Sequence, residues 1–140
     1  TAAIGGLAYA GIPITHRTTN SAVTFVTGHA LTGELPDNLD WQALARSGAV
    51  IVAYMAMKHM GLMQEQLLAG GRDPNQPVAI VSDATTPRMR VLETTLANVA
   101  QDADRHDMAA PAIIVFGDVV GLRSSMDWLG ALNGKELKPQ

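Results

Sequence analysis

The sequence predicts an α/β domain in which helices cover both faces of one sheet of about four to five strands, mostly parallel or mixed. Three apolar runs of strand length carry this prediction: residues 49–55, 77–81 and 112–116. Runs that are apolar at every position are typical of strands buried on both faces. Because segments with helical character separate these runs, a three-layer sandwich is favoured. A hairpin at one edge of the sheet is an open alternative.

The first half of the chain contains further elements before the run at 49–55. Residues 2–10 have the small and apolar composition of a short helix, which ends at Gly11. Residues 23–27 alternate apolar with polar, as expected of a half-buried strand. Asp40 is the expected N-cap of a helix over residues 41–47, because its side chain can accept hydrogen bonds from free amides of the first turn.

Methionines mark the next helix. Met57, Met60 and Met63 recur every three residues and lead to Leu67, which places them on one helical face. We expect this stripe to pack in the core rather than to line a ligand site, because methionine commonly fills gaps in cores.

The second half begins with the strand at 77–81. Thr86 and Pro87 suit the start of a helix, so a long helix is expected from Pro87. Its buried face would consist of four residues: Leu92, Leu96 (or Thr95), Val99 and Ala103. The run at 112–116 is the last core strand, and residues 135–140 are expected to fray.

Composition limits the possible functions. The 140 residues are 47% apolar and 16% charged, as in a globular domain with a real core. No apolar run approaches the roughly 20 residues of a membrane span. A formal charge of −3 gives no electrostatic footprint for nucleic acid. Cysteine is absent and the histidines lack ligand spacing, so we expect no metal. The absence of cysteine is compatible with a cytoplasmic location, which is the expected one.

The standard phosphate-binding and hydrolase motifs are absent, but the residues after the strands are unusual. They are Thr27-Gly28-His29, Tyr54-Met55, Asp83 to Pro87, and Gly117-Asp118. In a parallel sheet all four would meet at one edge, where a ligand crevice forms. Small residues there would let backbone groups contact a nucleoside-like ligand. A helix cap, a turn and a core-filling Met55 would explain the same residues without a ligand.

His16 and Arg17 admit two interpretations. Adjacent histidine and arginine in a loop could bind a polycarboxylate substrate, because arginine pairs well with carboxylates. They could equally be solvated or form an ion pair. The chain starts at Thr1, without a methionine, and enters a helical segment at once. Since termini are usually polar and loosely held, we expect the sequence to belong to a longer protein.

Seven segments together resemble one family. They are residues 1–5, 8–17, 26–29, 40–41, 54–55, 84–87 and 117–123. Their residues and order are similar to those of the uroporphyrinogen-III C-methyltransferases, a group of tetrapyrrole methylases. The resemblance extends over nearly the whole chain but covers only the carboxyl-terminal half of the family.

The resemblance implies a homodimeric two-domain enzyme that needs no metal. S-adenosylmethionine would bind between the domains and leave as S-adenosylhomocysteine. Uroporphyrinogen III would be methylated to precorrin-2, for sirohaem and cobalamin-type cofactors. Residues 1–140 would form the carboxyl-terminal domain. The amino-terminal domain, with its glycine-rich cofactor loop and proton-transfer residues, would be missing, so we expect no catalytic residue and no activity in this chain alone.

The resemblance also assigns site residues. Thr1 and Ala2 match a cofactor-binding pair, and Met55 matches a residue at the cofactor and substrate cleft. Ala84 matches a small residue whose backbone meets the cofactor. A larger side chain at position 84 would keep the backbone away from the ligand.

Two segments depart from the family's pattern, Ser82-Asp83 and Ala56-Met57-Lys58. These departures concern substrate preference more than the class of enzyme. Two alternatives therefore remain beside the first hypothesis. One is a methylase of the same family that acts on another precorrin. The other is a non-catalytic module retained for dimerisation or protein binding.

Overall fold

The structure is a computed structural model and describes residues 1–139. Its strands are β1 (Val23–Thr27), β2 (Val50–Tyr54), β3 (Pro77–Ser82), β4 (Arg90–Thr95) and β5 (Ala112–Phe116). Its α-helices are α1 (Ala2–Tyr9), α2 (Trp41–Arg46), α3 (Met60–Ala69), α4 (Val99–Arg105), α5 (Arg123–Met126) and α6 (Trp128–Leu132). Two 3-10 helices span Met57–His59 and Asp118–Leu122. No helix within these residues is long and apolar enough to cross a membrane.

The strands form one mixed sheet in the order β1-β2-β5-β3-β4. β1 and β2 are parallel, whereas β5 is antiparallel to both of its neighbours, β2 and β3. β3 and β4 form an antiparallel hairpin at one edge. The predicted α/β class is confirmed, and the sheet is mixed. The prediction that most of its strands are parallel is wrong. Residues 83–89 are too short a connection for a parallel crossover, which needs a dozen or more residues.

The three interior strands β2, β3 and β5 are buried on both faces, as their apolar runs predicted. One face of the sheet packs against α2, α3 and α4, around Ile51, Ile80 and Ile114. The opposite face packs against α1 and the 3-10 helix Asp118–Leu122, around Val52 and Val115. The two clusters form the hydrophobic core, one on each face of the sheet, and the domain has three layers.

The methionine stripe is confirmed as core packing in α3. Met60, Met63 and Leu67 are buried in the cluster under the sheet. Met57 precedes this helix in a 3-10 turn and is only partly buried, because the chain has not yet entered the regular helix. It packs against the edge of the same core cluster and also lines the cleft described below.

The long helix predicted from Pro87 is wrong in its first half. Residues 90–95 form the edge strand β4, and α4 begins only at Val99. The β-branched residues Val91, Thr94 and Thr95 favour a strand, which the neighbouring β3 can hydrogen-bond. The apolar spacing predicted a helix because the same residues contact the core in the observed strand and helix. Its members are Leu92, Leu96, Val99 and Ala103.

Asp127 anchors the carboxyl-terminal segment. Its carboxylate lies 2.7 Å from Lys135 Nζ and 3.0 Å from Arg123 Nη2. Burial alone would raise the pKa of Asp127, but hydrogen bonds from Lys135 and from a backbone amide, with the charges of Arg123 and Lys135, hold this pKa below its ordinary value. The Lys138 amide donates to a carbonyl of α5. Residues 135–138 are therefore tied to the domain rather than frayed, and Gln140 lies outside the described residues.

Gly28 sets the closest approach between the ends of β1 and β2. Its amide donates to the Tyr54 carbonyl at 2.7 Å. A Cβ on Gly28 would lie 2.6 Å from both the Cα and the Cβ of Ala56. Only glycine leaves room for the backbone of β2 to continue past this point.

We expect Gly28→Ala to lower the free energy of unfolding by about 1–3 kcal/mol, because the Ala56 backbone would have to move. Urea unfolding followed by circular dichroism measures this change. Gly61→Ala is the matched control, since nothing lies within 4 Å of its Cβ position in α3. Alanine there should raise stability by about 0.5–1 kcal/mol. Equal effects of the two substitutions would contradict the close approach.

Candidate functional site

An open cleft of about 770 Å³ lies at the edge of the sheet where β1, β2 and β3 end and β5 begins. Its walls come from the first turn of α1, from the residues after the three strands, and from residues 110–113 at the start of β5. Most of the lining side chains are apolar. A concave apolar site with a few polar groups is the usual form of a small-molecule pocket.

Three of the four predicted strand exits meet at this cleft. His29, Tyr54-Met55 and Asp83-Ala84 all line it, because β1, β2 and β3 run in the same direction. The prediction for Gly117-Asp118 is wrong, because β5 is antiparallel and ends at the opposite edge. Residues 110–113 occupy its place. The sequence pattern does not indicate these residues, because an apolar run carries no information on strand direction.

The four predicted site residues lie together. Ala2, Met55 and Ala84 line the cleft. Thr1 lies beside it and accepts a hydrogen bond from the Tyr54 hydroxyl at 2.6 Å. The same hydroxyl accepts a hydrogen bond from the backbone amide of the third residue, at 3.2 Å. Tyr54 thus fastens the first turn of α1 to the end of β2.

Gly6 brings α1 against the floor of the cleft. A Cβ on Gly6 would lie 2.6 Å from Ile113 Cδ1 and 3.0 Å from Ala84 Cβ. The helix is thereby packed against both the exit of β3 and the start of β5. This contact places Ala2, on the same helix, at the rim of the cleft.

The backbone is left-handed at three residues around the cleft. Met55 has φ 50°, Asp83 has φ 46° and Thr85 has φ 67°. Each non-glycine residue in this region costs about 1–2 kcal/mol, and such costs concentrate at functional sites. Met55 is 63% exposed, so it does not fill a gap in the core. The turn after β2 directs its side chain into the cleft.

Residues 83–88 form a tight turn instead of a helix cap. The Thr86 amide and hydroxyl both donate to the Asp83 carbonyl, at 3.2 and 2.8 Å. The Asp83 amide donates to the Pro111 carbonyl at 3.0 Å, which joins this turn to the segment before β5. The Asp83 carboxylate lies 3.7 Å from Arg88. The predicted capping role of Thr86 is thus replaced by a role in shaping the cleft.

Two basic side chains belong to the polar part of the wall. His29 and Lys58 line the cleft. Lys58 Nζ donates to the Gly33 carbonyl at 3.2 Å, and Nε2 of the buried His59 lies 3.0 Å from the same oxygen. A carbonyl accepts only from a protonated nitrogen, so Nε2 of His59 carries a proton. These two bonds fix the loop after β1 beside the cleft.

His16 and Arg17 lie away from the cleft. They belong to the loop that joins the end of α1 to the beginning of β1, and they are not among its lining residues. His16 Nδ1 is 2.9 Å from the Thr18 hydroxyl. This arrangement fits the interpretation of a local, largely solvated loop.

Residues 1–100 match the family model of the Tetrapyrrole (Corrin/Porphyrin) Methylases. The chain belongs to this family. It is 56% identical, over 98% of its length, to a uroporphyrinogen-III C-methyltransferase of Sinorhizobium sp. It is 46% identical, over 87% of its length, to an S-adenosyl-L-methionine-dependent uroporphyrinogen III methyltransferase of Methanosarcina barkeri. It covers 49% and 48% of these relatives, so it spans about half of their length.

A solved structure of this family has the same fold. The uroporphyrin-III C-methyl transferase of Thermus thermophilus, complexed with S-adenyl homocysteine, superposes with a TM-score of 0.71 at 30% identity. The match covers 84% of this chain and 50% of that protein. The resemblance predicted from the sequence motifs is therefore confirmed at the level of the tetrapyrrole methylase family.

We expect Met55→Gly to raise the free energy of unfolding by about 0.5–1 kcal/mol, because glycine adopts a positive φ without steric cost. The side chain is mostly exposed, so little burial is lost. Asp107→Gly is the matched control, since Asp107 has φ 48° outside the cleft. Its gain should be smaller, because aspartate tolerates this conformation better. Destabilisation by Met55→Gly in urea titrations would show that the side chain packs in the core.

Proposed function

We propose that this chain forms one side of the cofactor and substrate cleft of an S-adenosylmethionine-dependent uroporphyrinogen III C-methyltransferase. The observation that carries the proposal is the meeting of Ala2, Met55 and Ala84 at one apolar cleft. The relatives' names supply the reaction, and the physical form of the cleft supports it. The product would be precorrin-2.

The cleft fits the cofactor in size and chemistry. Its volume of about 770 Å³ lies within the range of about 300–1,000 Å³ of ligand pockets. Ala2 and Ala84 are small enough for a ligand to approach the backbone around them. Left-handed residues follow both β2 and β3 at the cleft, Met55 with φ 50° and Asp83 with φ 46°. Thr1, Ala2, Met55 and Ala84 are the proposed cofactor contacts.

Met55 is the proposed contact to the substrate as well. When bound, S-adenosylmethionine supplies a sulfonium methyl group to a nucleophilic carbon. The contribution of this chain is to hold donor and acceptor in line, since correct orientation alone can provide about 7–11 kcal/mol of a reaction barrier. Met55 is exposed in the cleft and can contact both molecules. We assign no acid or base in this chain.

The chain is proposed to act as the carboxyl-terminal domain of a homodimeric enzyme. Two observations support a need for a second domain. The chain spans about half of the length of its relatives, and its cleft is open rather than enclosed. Because one wall cannot enclose both reactants, the 140 residues alone should have no methyl transfer activity.

A chimaera tests this function. In the Sinorhizobium relative, this chain would replace the half that it matches. We expect the chimaera to convert uroporphyrinogen III to a doubly methylated product, detected by mass spectrometry, and the isolated chain to give none. Ala84→Leu in the chimaera should lower kcat/KM by about 100-fold, because it displaces the reactants.

Ala69→Leu is the matched control for this substitution. Ala69 is the exposed last residue of α3 and lies outside the cleft. Its chimaera should keep full activity. Unchanged activity of the Ala84→Leu chimaera would contradict the assigned cofactor contact. Turnover by the isolated chain would contradict the need for a second domain, and a folded but inactive parent chimaera would contradict the proposed reaction.

A further inference from the structure

Lys58 places a positive charge on a wall of the mostly apolar cleft. Its ammonium donates to the Gly33 carbonyl at 3.2 Å. An ammonium has three N–H donors, so this bond leaves others for a ligand. Among the ion pairs of residues 1–139, none involves Lys58. The charge is therefore held in place by an uncharged acceptor and is available to an anion.

His29 extends this basic wall. Its exposed ring lies on the loop after β1, with its centroid 6.0 Å from that of His59. His59 is buried and uses Nε2 to hold the Gly33 carbonyl. The loop that carries His29 is thus fastened to the turn that carries Lys58. Two donors therefore lie on segments that are joined through the Gly33 carbonyl, and joining the segments before a ligand binds lowers the entropic cost of binding.

The cleft has one acidic side chain, Asp83, and it already has a partner. Its carboxylate lies 3.7 Å from Arg88. The positive charge of Lys58 therefore has no counterpart among the lining residues. A carboxylate that leaves water for an apolar site needs a charged or hydrogen-bonding partner, and a charge-assisted bond is the stronger kind.

We propose that Lys58 and His29 form an anion subsite that binds a carboxylate side chain of the tetrapyrrole. The subsite rests on the proposed function, whose substrate is a polycarboxylate. Lys58 supplies the charge and a directed hydrogen bond, and the imidazole of His29 supplies a second N–H. The pair is a determinant of substrate specificity, because it favours tetrapyrroles with more carboxylates on the same ring system.

Ligand titrations of the full 140-residue chain test the subsite. The probes are uroporphyrin III, coproporphyrin III, which carries fewer carboxylates, and S-adenosylhomocysteine. Lys58→Met keeps an unbranched apolar side chain and removes its charge. We expect about tenfold weaker uroporphyrin III binding, in line with the loss of a hydrogen bond to a charged group. The preference for uroporphyrin III over coproporphyrin III should decrease. The affinity for S-adenosylhomocysteine should stay within twofold of that of the wild-type chain.

Three further variants complete the design. Lys58→Arg should restore the preference for uroporphyrin III, and His29→Gln should weaken it severalfold. Lys138→Met is the matched control, because Lys138 is an exposed lysine outside the cleft; it should have no effect. Two outcomes would overturn the subsite alone. In one, the wild-type chain binds S-adenosylhomocysteine but not uroporphyrin III. In the other, Lys58→Met binds both ligands as tightly as the wild-type chain does. An equal loss of both ligands in Lys58→Met would also overturn it. Failure of the wild-type chain to bind either probe would overturn the proposed function with it.

Discussion

The position of β5 is the constraint on which the rest of the structure depends. It lies between β2 and β3 and is buried on both faces, so each of its backbone groups must be paired in the sheet. Its position separates the ends of β2 and β3 by the width of one strand, and its antiparallel direction places the beginning of β5 between them. Residues 110–113, which lead into β5, fill the gap as the floor of the cleft. A parallel β5 would have left a different set of residues at this edge.

The cleft combines a rigid frame with costly local geometry. Tyr54 and Gly6 fix α1 against the strand ends, through hydrogen bonds at the first turn and through close packing at the second. Within this frame, Met55 and Asp83 adopt left-handed backbone conformations that isolated residues avoid. A stable core can maintain such strain, and its concentration at one edge of the sheet is the physical argument for a ligand site there.

Much of the fold could be predicted from the sequence, because burial determines periodicity. The interior strands, the Asp40 cap, which accepts from an amide of α2, and the buried methionines of α3 all follow from side-chain patterns. Strand direction and pairing could not be predicted in this way, since they depend on long-range contacts. The expected helix at Leu92 and the expected exit at Gly117-Asp118 failed for that reason. In the site, the predicted strand exits already include His29, Met55 and Ala84, and the family resemblance assigns Met55 and Ala84 to the cofactor. The place of Lys58 beside them is visible only in the folded structure, where its ammonium donates to the Gly33 carbonyl.

The central claim is that an S-adenosyl ligand binds at the ends of β1, β2 and β3. The most direct measurement is a titration of the isotope-labelled chain with S-adenosylhomocysteine, followed by amide chemical shifts in NMR. The account predicts saturable shifts at His29, Met55, Ala84 and Ala112, which surround the cleft. Shifts confined to the shallow groove between Ile12 and Trp128, or no shifts at all, would contradict it.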